Sequence, residues 1–264
     1  MPHGSKIDWK MEDNHYKGSK MPYFNITHSP PIILPLVPNV EVESFKVLQL
    51  VTPYQSRERR GLGVRKMMRL LTPWIQENPI FFHMTNSTSS AVRGVLDQMK
   101  EVGFEMMIYS FGGDFNMEST DQTYIDSIRD SVEYAKSLGI EVGGYDLIAL
   151  SRHVKKEWMA INEFDYSSPY ASACFASGWY DDLLNKTLSF LEYTGISMVE
   201  TDGPYGGYTC KSQTHQHHHG LEDSVYQQNR LQSEFFKILR NRNIYINQPD
   251  IYYFQVSVQM ITFL

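Results

Sequence analysis

The stretch Gly195-Ile196-Ser197-Met198-Val199-Glu200-Thr201-Asp202-Gly203-Pro204-Tyr205-Gly206-Gly207 decides the fold. A helix-ending glycine comes first, then a short apolar run, then two carboxylates, then a glycine-rich turn. A short apolar run bounded by turn residues reads as a buried strand. Parallel α/β folds place their chemistry at the C-terminal ends of strands, where Glu200 and Asp202 stand. Strand alternation puts the two on one face, and close carboxylates raise one pKa, as an acid–base pair needs.

The same unit recurs on both sides of this stretch. Ile80-Phe-Phe-His-Met reads as a strand, and a helix after it carries Val92, Val95, Leu96 and Met99 on one face before Gly103. Phe104 opens the next strand, which leaves through Ser110-Phe-Gly-Gly-Asp114. Ile125, Ile128, Val132 and Ala135 mark a helix ended by Gly139, and Ile140 opens a strand that runs to Asp146. A longer excursion over 147–178 precedes a helix over 179–193. Beyond the opening stretch come a His-rich loop, a helix over 224–240 ended by Asn243, and a strand from Ile244 to Asp250.

Strands alternating with helices predict a parallel sheet. Five strands are expected, beginning at Ile80, Phe104, Ile140, Ile196 and Ile244. The expected fold class is α/β, a TIM-type (β/α)8 barrel that is incomplete, since a full barrel takes about 250 residues; an open five-stranded sheet is the competing account. Asp146, Asp202 and Asp250 each lie seven residues after a helix-ending residue (Gly139, Gly195, Asn243). Equal spacing predicts similar heights and a shared mouth.

The expected organisation is a disordered start over 1–20, a β-rich extension over 21–60, a linker helix over 61–79, and the partial barrel as a catalytic-type domain over 80–264. Val64, Met67, Met68 and Leu71 carry the linker helix. The charge run at 57–60 reads as solvated surface. The chain has 264 residues and a net charge of −6, which disfavours a nucleic-acid partner. Aromatics at 13% suit a carbohydrate partner, whose sugar faces stack on rings. No signal peptide opens the chain, and no apolar run is long enough to cross a bilayer, so no membrane partner is expected.

Cys174 and Cys210 either pair, if the loops after two neighbouring strands meet, or stay as free thiols. His215, His217, His218 and His219 are dense enough to bind Zn²⁺. They fall in the polar loop 211–220 at no recognisable ligand spacing, and the expectation is a solvated loop above the site, with no metal and no cofactor assigned. A metal-dependent barrel hydrolase is the minor alternative. His83 and Asn86 end the first strand and either reach the mouth or cap the core edge. No nucleophile elbow, P-loop or dinucleotide fingerprint is present.

Three segments resemble the catalytic barrel of the melibiase-type glycoside hydrolases, the α-galactosidase clan of families 27 and 36. Gly103-Phe104-Glu-Met-Met-Ile-Tyr-Ser-Phe-Gly-Gly-Asp114-Phe is similar to the family's second strand and its acidic, aromatic loop. Gly139-Ile-Glu-Val-Gly-Gly-Tyr-Asp146 is similar to the third strand, and Met198-Val-Glu-Thr-Asp202-Gly to the fourth. The resemblance spans roughly 80–254. It implies hydrolysis of O-glycosidic bonds by a retaining carboxylate mechanism, α-galactosidase-like, with Asp202 as nucleophile. Glu200 stands where the family has a sugar-binding Lys. Asp250 is the candidate acid on a fifth strand, whereas the family's acid follows the sixth. Asp114, Asp146, Glu200, Tyr205 and Asn247 are candidate substrate-binding residues, with Tyr208 close by. A catalytically inactive or carbohydrate-binding barrel fragment is the alternative reading. If the parent protein is secreted, an extracellular or lysosomal location follows.

Overall fold

The computed structural model describes residues 5–14, 19–28, 38–39, 41, 50–53, 56–71, 79–202 and 207–247. Two strands, β1 (Ser5–Asn14) and β2 (Ser19–His28), pair antiparallel as a hairpin. The stretch expected to be disordered therefore holds all of β1 and the start of β2. Lys-Ile-Asp-Trp-Lys-Met alternates polar and apolar residues, which favours extended pairing over a solvated coil. Helix α1 (Arg57–Leu71) takes in the charge run at 57–60 as its first turn, so the linker helix starts earlier than expected. Glu58 in that turn complements the helix dipole.

The remaining elements alternate along the chain. They are β3 (Phe81–Met84), α2 (Ser89–Val102), β4 (Met106–Tyr109), α3 (Gln122–Ser137), β5 (Glu141–Asp146), α4 (Gly178–Thr194), β6 (Met198–Thr201), α5 (Leu221–Arg240) and β7 (Tyr245–Asn247). All five strands from β3 to β7 are parallel and lie in sequence order. Among the described residues the sheet is open, with β3 and β7 at its edges. This is the expected incomplete barrel arrangement.

Local chemistry sets the helix ends. Asp121 accepts a hydrogen bond from the Thr123 amide at 3.0 Å, and Ser177 from the Trp179 amide at 3.2 Å, each satisfying an orphan donor of a first turn. Gly195 closes α4 at φ +75°, where a side chain would be strained. Helices of this length are marginal alone, so packing holds them. Val92, Leu96 and Met99 of α2 and Ile128, Val132 and Ala135 of α3 are buried against the sheet. Full burial of each large aliphatic contributes about 1.5–3 kcal/mol.

The two faces of the sheet have different neighbours. Met107, Tyr109, Val142 and Val199 point to the helix layer and join the main core. Met106, Ile108 and Met198 point the other way and pack with Tyr245 in a small separate cluster. In a barrel that second face is the interior, and its apolar layer forms a floor beneath the strand ends. Two glycines in β5 make this curvature fit. A Cβ on Gly143 would lie 2.4 Å from Met198 Cε in the floor, and one on Gly144 would lie 2.4 Å from Phe115 Cε1 in the helix layer.

Candidate active site at the strand ends

The register aligns Tyr145 of β5 with Glu200 of β6, and Glu200 with Asn247 of β7. These three stand two residues beyond the floor residues Gly143, Met198 and Tyr245, on the same interior face. Glu200 is buried. Its Oε2 accepts from Asn247 Nδ2 at 2.6 Å and lies 3.1 Å from His83 Nε2. His83 belongs to β3, three strands away from β6. In a flat sheet their backbones would be about 14 Å apart, with side chains perpendicular to the sheet. The 3.1 Å contact therefore requires strong curling of β3 towards β6.

Asp202 lies just beyond β6, half-buried, on the same face as Glu200. The Tyr145 hydroxyl donates to its Oδ2 at 3.5 Å. Burial first, and the Asp202 charge second, hold the Tyr145 phenol above its usual range, so it stays a donor. Phe111, on the loop leaving β4, meets Tyr145 edge-on at 5.7 Å between ring centroids. It is 72% exposed, so its ring is open to a ligand. Together these side chains gather an aromatic pair, a neutral donor and two carboxylates at the C-terminal ends of the strands.

The other expected site residues are placed differently. Asp146 follows Tyr145 in β5 and turns to the opposite face. There it is buried and ion-paired with Arg152 at 2.9 Å, and Arg152 also contacts Glu118 and stacks over Trp179. Burial pushes the Asp146 carboxyl up to about 7 and brings Arg152 down to about 10; their direct contact works against both shifts. The structure thus separates Asp146 from Asp202 instead of bringing both to one mouth. Asp114 is exposed on the loop after β4, at φ +57°. Tyr208 packs against Phe164 at 4.8 Å between ring centroids. Tyr205 and Asp250 lie outside the described residues.

The His-rich loop is not a solvated strap. His215 and His218 are buried, whereas His217 pairs with Asp181 and His219 with Asp223. Cys174 and Cys210 are both buried and both free thiols. The loops after β5 and β6 do meet, yet the sulfurs find imidazoles: Cys174 Sγ lies 3.6 Å from His218 Nε2, and Cys210 Sγ lies 3.6 Å from His215 Nδ1. The solvated reading failed because partners 147–177 supply were invisible to a local reading of 211–220.

No protein-family model matches the chain, and no curated protein matches it. Solved structures do. The α-N-acetylgalactosaminidase NagBb from Bifidobacterium bifidum aligns with TM-score 0.50 at 11% identity, over 75% of this chain and 41% of that one. The galactosidase domain of the α-galactosidase–sucrose kinase AgaSK aligns with TM-score 0.49 at 11% identity, over 66% and 27%. A GH31 α-xylosidase from a soil metagenome aligns with TM-score 0.45 at 11% identity, over 67% and 30%. The fold is that of a partial TIM-type (β/α)8 barrel. The chain spans less than half the length of each of these three structures. Among the described residues no helix is long and apolar enough to cross a membrane.

Tyr145, Phe111 and His83 complete the cluster at the strand ends. His83 was legible as a strand-end residue. Tyr145 had a signal too, since alternation sends it and Asp146 to opposite faces. Phe111 was quoted only as part of a loop, and its exposure is a tertiary property.

Proposed function

We propose that this cluster of side chains binds a glycoside and that Asp202 is the nucleophile of a retaining, α-galactosidase-like hydrolysis. One observation carries the reading: a half-buried carboxylate at the C-terminal end of a central strand accepts from a protonated Tyr145 beside an exposed aromatic ring. Asp202 Oδ attacks the anomeric carbon, the C–O bond to the leaving group breaks, and an acid protonates the departing oxygen. Water then cleaves the glycosyl ester, giving its proton to the same group, now a base. Asp250, three residues beyond Asn247, is the candidate for that acid. Tyr145 keeps Asp202 oriented. Glu200, fixed by Asn247 and His83, presents its other oxygen to a sugar hydroxyl, with Phe111 stacking on the ring and Asp114 at the rim.

The test is turnover of a panel of aryl α- and β-glycosides by the full chain. Asp202→Ala should abolish turnover, and added azide should restore it with release of a glycosyl azide. An Asp202→Ala variant with unchanged activity refutes the assignment. Sugar-dependent quenching of tryptophan fluorescence with no turnover in the wild type supports a carbohydrate-binding module instead.

A further inference from the structure

On the exit loops of β5 and β6, four side chains make a closed and buried donor set. Cys174 comes from the excursion after β5, and Cys210, His215 and His218 from the loop between β6 and α5. All four are buried, and their sulfur and nitrogen atoms lie within 4.8 Å of one another. The second nitrogen of each imidazole is already engaged. His215 Nε2 lies 3.0 Å from the Glu157 carbonyl, and His218 Nδ1 lies 3.1 Å from the Gly220 carbonyl. A carbonyl only accepts, so those two nitrogens carry the protons. With both rings neutral, the lone pairs of His215 Nδ1 and His218 Nε2 face each other at 3.1 Å. Opposed lone pairs at that distance repel unless a positive charge lies between them.

We propose that Cys174, Cys210, His215 and His218 bind one Zn²⁺ as a structural site. A zinc tetrahedron with Zn–S of about 2.3 Å and Zn–N of about 2.0–2.1 Å has S···N edges of about 3.6 Å and an N···N edge of about 3.3 Å. Three of the six donor–donor edges are 3.6, 3.6 and 3.1 Å, and all six lie within 4.8 Å. Thiolate and imidazole donors select zinc over the hard cations calcium and magnesium. Two thiolates cancel the charge of the ion, so the buried site is neutral. The carbonyls of Glu157 and Gly220 fix the imidazole tautomers, the usual supporting arrangement around ligating histidines. The Ile161 amide donates to Cys210 Sγ at 3.4 Å, as suits a thiolate.

Four protein donors leave no open position, which makes the ion a clamp and not a Lewis acid for substrate. It ties the excursion after β5 to the loop after β6, the two segments that leave the sheet next to Tyr145 and Asp202. Gln228 strengthens the same seam, accepting from the Phe175 amide at 3.2 Å and donating to the Tyr208 carbonyl at 2.8 Å.

The experiment uses the full chain, purified under reducing conditions from zinc-supplemented cells, with metal measured per chain. The expected content is one zinc. Exchange for Co²⁺ should give intense tetrahedral ligand-field bands with thiolate-to-cobalt charge transfer. Chelation should lower the melting temperature and added Zn²⁺ should restore it. Cys210→Ser and His215→Asn should lose the cobalt spectrum. His219→Asn, whose side chain is 81% exposed, should keep it. A metal-free wild type that takes up no Co²⁺, an octahedral cobalt spectrum, or a Cys174–Cys210 disulfide in the folded chain overturns the proposal. Where Cys210→Ser fails to fold, the wild-type cobalt spectrum decides alone. Glycosidase activity enters none of these readouts, so a failed sugar assay leaves the zinc proposal standing.

Discussion

Gly144→Ala is the sharpest test of how β5 is packed. A Cβ there would sit 2.4 Å from Phe115 Cε1, 2.5 Å from Phe115 Cζ and 3.1 Å from Met117 Cε. Carbon atoms prefer about 3.5–4.0 Å, so the Phe115 ring must move by about 1 Å or more. It has little room to do so. On one side it stacks on Tyr109, with centroids 4.9 Å apart and planes 2° from parallel; on another it meets Phe190 edge-on at 5.8 Å. Overpacking of this kind costs about 1–3 kcal/mol. For a domain of about 150–250 residues, each kcal/mol shifts the melting point by about 2–4 °C, so a 2 kcal/mol loss lowers it by about 4–8 °C. Thermal melts followed by circular dichroism would read the shift. Phe115→Leu removes the ring atoms that clash, and in the double variant Gly144→Ala should cost less than it does alone, a coupling of about 0.5–3 kcal/mol. A Gly144→Ala melt equal to wild type, or additive losses in the double variant, would refute this packing of strand against helix layer.

Asn247→Asp places a second carboxylate at the 2.6 Å contact with buried Glu200. Like charges that close force one proton to stay on, raising the folded pKa of the pair. The variant should match wild type in acid and lose about 1–3 kcal/mol as pH rises to neutral, read by urea melts across pH. Asp146 sets a pH slope in the wild type. Burial raises its folded pKa from 3.8 to about 7, so the folded state holds the extra proton in that window. The contribution is complete below the unfolded value and is lost as pH rises through the folded one. It amounts to at most about 4 kcal/mol, less for the opposing contact with Arg152. Asp146→Asn should flatten the slope, and a slope unchanged in that variant would count against the assignment.

The order and direction of the barrel strands were legible in the sequence to within two residues. Expected starts at Ile80, Phe104, Ile140, Ile196 and Ile244 compare with Phe81, Met106, Glu141, Met198 and Tyr245. The reason is local: Gly103, Gly139, Gly195 and Asn243 adopt positive φ at the ends of helices, and an apolar run must follow. Which face each side chain takes was not legible. Tyr145, Glu200 and Asn247 share one row, yet they stand six, five and four residues past Gly139, Gly195 and Asn243 (145 − 139, 200 − 195, 247 − 243). Register therefore slips by one residue at each successive strand, and a one-residue slip exchanges the two faces. Equal spacing from a helix end fixes height along the axis only. That is why Asp146 and Asp202, both seven residues on, part company, and why Tyr145 takes the place beside Asp202.

The Cys–His cluster escaped the sequence for a related reason. Three of its members sit within nine residues, but the fourth, Cys174, is 36 residues before Cys210 (210 − 174). The two carbonyls that orient the rings come from Glu157 and Gly220. A spacing rule reads donors carried on one hairpin or helix. Here parallel β5 and β6 run side by side, so their long exit loops leave the sheet at one end and meet. The donor set exists only where they do. Both loops start within two residues of Tyr145 or Asp202. Loops with little regular structure, here one 3-10 turn over Lys156–Trp158 and one bridge between Met159 and Ala173, are held by few backbone ladders, so the groups that join them decide how rigidly Asp202 is presented. If zinc supplies that lock, its removal should loosen the backbone at Asp202 before it melts the sheet. Hydrogen exchange of the chelated chain should then rise first over 207–220, and only at higher temperature in β4 to β6; simultaneous loss of protection in both would place the clamp in the core's own stability instead.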